Sequence, residues 1–188
     1  IVPNLDQCSS CHERDDEEHS LGLITPQMNM LVERDGEMVP QIAWLAGQGM
    51  FSAPPPEAGS LVAFVDPMGT DGTLDWRARS YLHGNCAHCH QAGGGAGKSG
   101  LVFLASETEP AKYGVCKVPA AAGPGTGGHP HDIVPGDPDS SIILFRMNSL
   151  DPEIKMPELP NRVIDKRGVQ LIHDWIAAMP ADPACDGM

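Results

Sequence analysis

Apolar residues recur at helical spacing in two well-separated stretches of the chain. Trp76, Ala78, Tyr81 and Leu82 fall on one face of a segment that opens at Asp75, read as its N-cap, and runs into Cys86. Val169, Ile172, Trp175, Ile176 and Met179 fall on one face of a second, which begins after Asn161 or Asp165 and is ended by Pro180. Two shorter helices are predicted over residues 141–147, after the turn Pro135-Gly136-Asp137-Pro138, and over 41–46, stopped at Gly47 and Gly49. Elsewhere the periodicity fails. Residues 21–50 carry a mixed apolar pattern, and the acidic run 13–19 reads as a solvated surface turn. Residues 52–60 include Pro54-Pro55-Pro56 and read as a polyproline-like connector that cannot be helical. Gly69 to Gly72 reads as a turn, and residues 91–100 as a glycine-rich loop. The expectation is a mainly α chain with extensive loops, divided into an N-terminal module (1–73) that ends in a Pro/Gly-rich connector and a helical domain (74–188).

Composition sharpens this picture. Hydrophobic residues make up 41% of the 188, but aromatics only 5%, so a core of side chains alone is short of large rings. With 21 glycines and 18 prolines, the chain is suited to wrapping loops around something apolar that is not a side chain. The formal net charge of -13 argues against nucleic acid or an anionic membrane as partner, since both demand a basic face. No apolar run reaches the about 18 residues of a membrane span, and Ile1-Val2-Pro3 has neither a basic nor an apolar leader region, so a soluble, processed chain is expected.

The chemistry lies in the cysteines. Four of six sit in two Cys-x-x-Cys-His motifs, Cys8-Ser9-Ser10-Cys11-His12 and Cys86-Ala87-His88-Cys89-His90. This spacing offers two thiols to the two vinyl groups of one porphyrin and an imidazole, His12 or His90, to its iron. Two haems c bound through Cys8, Cys11, Cys86 and Cys89 would also supply the missing apolar bulk. A zinc site or redox dithiol is the competing reading of any CxxC pair. Zinc ribbons space their pairs by roughly 15 to 20 residues, whereas 75 separate Cys11 from Cys86. Neither motif follows the Val/Ile-rich strand that thioredoxin-like chemistry expects. Residues 92–99 resemble a phosphate loop but lack its first glycine and its strand. Cys116 and Cys185 remain, either as one disulfide, which requires an oxidising compartment, or as buried thiols.

A six-coordinate second haem needs a Met or His from a later loop. Met156, in Lys155-Met156-Pro157-Glu158-Leu159, is held extended by the following proline just before the last helix, a poor place for a core methionine. The order of helix, CxxCH, glycine-rich loop, middle helix, Met-Pro loop and aromatic-bearing final helix resembles the class I cytochrome c fold over about residues 74–188. More narrowly, Arg77-Ala78-Arg79-Ser80-Tyr81-Leu82-His83-Gly84-Asn85 leading into the second motif, Asp132-Ile133-Val134-Pro135-Gly136-Asp137-Pro138 and Met156-Pro157-Glu158 resemble a group of bacterial two-haem c-type cytochromes. The resemblance implies His90 as proximal and Met156 as distal ligand. It implies no substrate.

The first haem has no such frame, because only seven residues precede Cys8 and no initial helix fits there. Its distal ligand is open among His83, His19, Met28, Met30, His129 and His131. His83, three residues before Cys86, gives His-x-x-Cys-x-x-Cys-His, a spacing that in multihaem cytochromes often lends its imidazole to a neighbouring haem. His129-Pro130-His131 follows a glycine-rich loop and is expected to face outward, where it could ligate haem in another copy of the chain. His88 and His173 read as surface or core histidines, the former turned outward. The expected function is electron transfer as a periplasmic or extracellular relay, with redox partner proteins and further copies of the chain as partners. The alternative is a peroxidase-type enzyme with an open site at the first haem.

Overall fold

Two helices carry the core, and their polar ends show why they pack as they do. Helix α4 (Leu74–Asn85) is capped by Thr73, whose hydroxyl accepts from Trp76 N at 3.1 Å. Asp75 is therefore not the N-cap that the sequence suggests. It lies in the first turn, where its carboxylate accepts from Arg79 Nε and from Trp175 Nε1, both at 2.9 Å. Helix α6 (Lys166–Ala177) is capped by Asp165, which accepts from Gly168 N at 3.0 Å and from the Tyr81 hydroxyl at 3.0 Å. Asp75, in the first turn of α4, and Asp165, the cap of α6, thus each tie one helix to the other. A Cβ on Gly168 would stand 2.1 Å from the Tyr81 oxygen, so only glycine permits this approach. Ala78 and Leu82 of α4 and Ile172 and Ile176 of α6 are fully buried between them, each larger side chain contributing about 1.5–3 kcal/mol.

The computed structural model describes residues 4–15, 17–120, 123–159 and 161–185. Ile1-Val2-Pro3 and Asp16 of the acidic run lie outside the described residues. In chain order α1 (Leu5–His12) is followed by a hairpin of β1 (Glu13–Arg14) and β2 (Glu17–Glu18) and by α2 (Thr25–Met28). A second hairpin pairs β3 (Leu31–Arg34) with β4 (Glu37–Pro40), Val32 opposite Val39, and leads into α3 (Gln41–Gly47). Helices α4, α5 (Ile142–Met147) and α6 follow, with single 3₁₀ turns in the loops. The mainly α expectation missed the hairpins. In the second, Asp35 and Gly36 stand at φ +53° and +85°, the left-handed pair that a two-residue hairpin turn needs.

Behind α4 and α6, an edge-to-face run of rings passes from His90 through Phe103 and Tyr113 to Trp175, with centroids 5.1, 5.5 and 6.0 Å apart. Ile133 and the inward residues of α5, Ile142, Leu144 and Met147, complete the core. Cys116 and Cys185 are bonded, which settles the alternative left open by the sequence and ties the last described residue to the loop beneath α5. The expected boundary at 73/74 falls on the α4 cap, yet the segment before it lies along α4. Trp76 Nε1 donates to Ala63 O at 3.1 Å, Arg77 donates to Gly69 O, and the Phe64 ring touches both Trp76 and His83. Among the described residues no helix is long and apolar enough to cross a membrane.

Candidate functional site

A cavity of about 760 Å³ opens beside the C-terminus of α4, within the size range of cofactor sites. The helix ends in a tight turn that fans the second motif across one wall: Cys86 N bonds Leu82 O at 2.9 Å, and His90 N bonds Cys86 O at 2.9 Å. Cys86, Cys89 and His90 all line the cavity, and so does Met156. Burial, with the neighbouring thiols, pushes Cys86 and Cys89 up to about 12, so both stand as neutral thiols.

His90 is held neutral and correctly protonated for metal ligation. Burial first, then the charge of Arg146, lowers it to about 4. Its Nδ1 lies 3.3 Å from Ser99 Oγ, and that hydroxyl spends its proton on Ala96 O at 2.7 Å. Ser99 can therefore only accept, so Nδ1 carries the proton and Nε2 keeps a free lone pair. His12 repeats the arrangement at the surface, donating from Nδ1 to His19 O at 3.1 Å.

Met156 arrives on a loop pinned to α5. Its N–H donates to Arg146 O at 3.0 Å, Arg146 Nε donates to Ile154 O at 2.8 Å, and Lys155 Nζ donates to Asn161 O at 3.0 Å and to Glu158 O. The Met156–Pro157 peptide is cis. Met147, at the end of α5, brings a second thioether to the cavity lining. The sequence marked it only as the end of an amphipathic helix, the usual signature of core filler. Leu101, Phe103, Ile133 and Ile142 make much of the wall apolar, while Arg146 and the Lys117–Asp132 ion pair, at 3.1 Å, make one part polar. Burial raises Asp132 above the usual carboxylate range, against the pull of Lys117. Two thiols, a neutral imidazole, thioethers, apolar walls and cations for carboxylates fit a covalently bound haem.

The first motif is itself helical, forming most of α1, with no separate initial helix ahead of it among the described residues. Asn4 Oδ1 accepts from Gln7 N at 2.8 Å and Gln7 Oε1 accepts from Asn4 N at 3.1 Å, a capping box that starts the helix at Leu5, ahead of Cys8. The arm rests on the glycine-rich loop of the second motif. Asp15 N donates to Gly93 O at 3.3 Å, and a Cβ on Gly95 would stand 2.6 Å from Ser10 O, so a side chain there would lift α1 off. Ser10 and Cys11 consequently reach the same cavity, with Cys11 Sγ 3.8 Å from Cys89 Sγ. His88 joins this pair; the ligand atoms of Cys11, His88 and Cys89 all lie within 4.8 Å of one another. It is half-buried, not turned outward, and burial followed by the nearby His12 lowers its pKa.

Of the candidate distal ligands, His19 stays beside the first motif through its main chain, whereas the contacts that His83, Met28, Met30, His129 and His131 make among the described residues lie elsewhere. His83 Nδ1 accepts from Ala105 N at 3.0 Å, which leaves the proton on Nε2, and the ring packs on Phe64 at 4.8 Å, off the cavity lining. Met28 Sδ accepts from Gln41 at 3.7 Å, Met30 is 53% exposed, and His129 leans on Phe145 at 5.5 Å. His131 is 3% exposed, with no hydrogen-bond partner for either ring nitrogen among the described residues. It does not face outward, because the chain there bridges to Ser141 and closes over it. His173 is on the polar side of α6 beside Asp174. No protein-family model, no curated protein and no solved structure matches the chain.

Proposed function

We propose that the chain binds two haems c covalently and transfers electrons between them and to redox partner proteins. The observation that carries this is one cavity lined by Cys86, Cys89, His90 and Met156 and also by Cys11 of the first motif. Each thiol adds across a porphyrin vinyl group: the sulfur bonds one carbon, its hydrogen ends on the other, and nothing is oxidised. His90 and His12 offer Nε2 as proximal ligands, and Met156 offers its thioether as the distal ligand of the second haem, a combination that raises the potential relative to two imidazoles. When bound, the iron would supply a reversible one-electron change; the chain fixes its ligands and offers it largely apolar walls. With Cys11 Sγ 3.8 Å from Cys89 Sγ, haems held by these thiols would have a short path between them.

The Cys116–Cys185 bond and the thioether chemistry both suit the periplasm or the extracellular space. A net charge of -13 favours redox partners with a basic face. Ligation between copies of the chain through His131 loses its support, since that side chain is buried.

A second reading has one observation behind it. Zn–S bonds of about 2.3 Å at a tetrahedral centre put two sulfurs about 3.8 Å apart, the separation of Cys11 and Cys89, with His88 as third donor. One preparation separates the readings: expression in a bacterial periplasm with haem-attachment machinery, followed by mass measurement, haem staining after denaturation and metal analysis. Two haems per chain, one lost in C8A/C11A and the other in C86A/C89A, supports the proposal. One zinc and no haem replaces it with the metal site. Near-infrared magnetic circular dichroism of a haem-loaded chain then tests the carrier, since a high-spin iron would point instead to peroxidase chemistry.

A further inference from the structure

The loop that presents Met156 leaves α5 at Met147 and returns to within one residue of its starting point. Its outer part folds on itself: Ile154 N and Lys155 N both bond Asp151 O, at 3.0 and 2.8 Å, and Asp151 Oδ1 accepts from Glu153 N at 2.9 Å. That turn holds the loop's shape but not its position over the cavity. Position comes from Arg146, which grips the returning strand at two points. Its carbonyl accepts from Met156 N at 3.0 Å, and its Nε donates to Ile154 O at 2.8 Å. The side chain has little freedom of its own, since it is half-buried, lines the cavity, and has its guanidinium carbon 3.2 Å from where a Cβ on Gly125 would stand.

We propose that Arg146 is the positioning residue of the second iron's distal ligand: it clamps the returning loop at Ile154 and Met156 and so sets how long the Met156 thioether stays in the cavity. This rests on the reading of Met156 as that ligand. A lysine at 146 keeps the charge, but its only donor is a terminal ammonium, so it cannot bond Ile154 O from the Nε position while extending into the cavity. The main-chain bond to Met156 survives the substitution, which leaves the loop hinged on one contact instead of two.

The test uses the haem-loaded full chain and reads two quantities: the weak long-wavelength thioether-to-iron band of the oxidised protein, and the rate at which carbon monoxide enters the reduced second haem, identified as the kinetic phase that M156A accelerates. R146K is compared with R79K, which also removes a guanidinium bonded to a main-chain carbonyl (Glu107 O, 2.8 Å) but lies away from the loop. The expected result is carbon monoxide entry roughly tenfold faster or more in R146K, the scale of a lost hydrogen bond from a charged donor, with a weakened band and an unfolding midpoint shifted no more than in R79K. R146K within twofold of the parent, or R79K opening the second haem as much, overturns the proposal. A parent with no thioether band and no response to M156A overturns it differently, by removing the ligand assignment on which it rests. Should R146K fail to accumulate, R146Q is read by the same criteria.

Discussion

Residues 74–185 and residues 4–73 bury their apolar side chains very differently. The first region encloses Leu82, Tyr113, Ile133, Ile172 and Ile176 completely, whereas among the described residues before Ala78 the buried hydrophobic group is Ile42 alone. The N-terminal region instead leaves Leu23 83%, Met50 69%, Met38 59% and Leu31 55% exposed. Each region carries one CxxCH motif. The second motif therefore sits in a region with a closed core of side chains, and the first on an arm that encloses little of its own. The same five-residue pattern thus stands in two unlike packing environments.

The largest test of this contrast is the Cys116–Cys185 tie, which closes a loop over a sequence separation of 69 within the ordered region. Serine at both positions should lower the stability of that region by about 4 kcal/mol, measured by denaturant unfolding followed at Trp175. Next comes the packed pair of helices. I172A removes a fully buried side chain and should cost about 3 kcal/mol.

Of similar size is an acid effect at His90. Its pKa is held near 4 in the fold against an ordinary value of 6.5. Between those values the unfolded chain binds the proton and the folded one does not, so stability falls as pH drops through that window, by about 3 kcal/mol in all. The loss should be seen in the haem-free chain and should vanish in H90N. The smallest effect is expected in the other region: L31A, at a half-exposed strand position, should change stability by no more than about 0.5 kcal/mol. A large loss from L31A, or a small one from I172A, would break the comparison.

The helices were legible where one face is buried, because burial writes a 3.6-residue period into the sequence, as at Trp76 to Leu82 and Val169 to Met179. Their caps were less so: Thr73 and Asp75 are both good N-cap types, and only the hydrogen bond to Trp76 N decides between them. The second hairpin was missed although Asp35-Gly36 is a strong local signal, since its strands alternate weakly and bury little. The thiols and imidazoles of both motifs were read from spacing alone. What spacing cannot contain is which loop covers which, so the seat of α1 on Gly95, the inward turn of His88 and His131, and the clamp at Arg146 emerged only from long-range contacts.

The seat of α1 also fixes an order of events. Cys11 precedes Gly95 by 84 positions in the chain, so as the polypeptide is synthesised the first pair of thiols appears well before the surface on which it will lie. Until that loop has formed, the leading motif is an untethered ligand set, open to any reagent it meets. The motif made first therefore cannot take its place until the later segment has formed, and the finished spacing between the two motifs is decided by that segment.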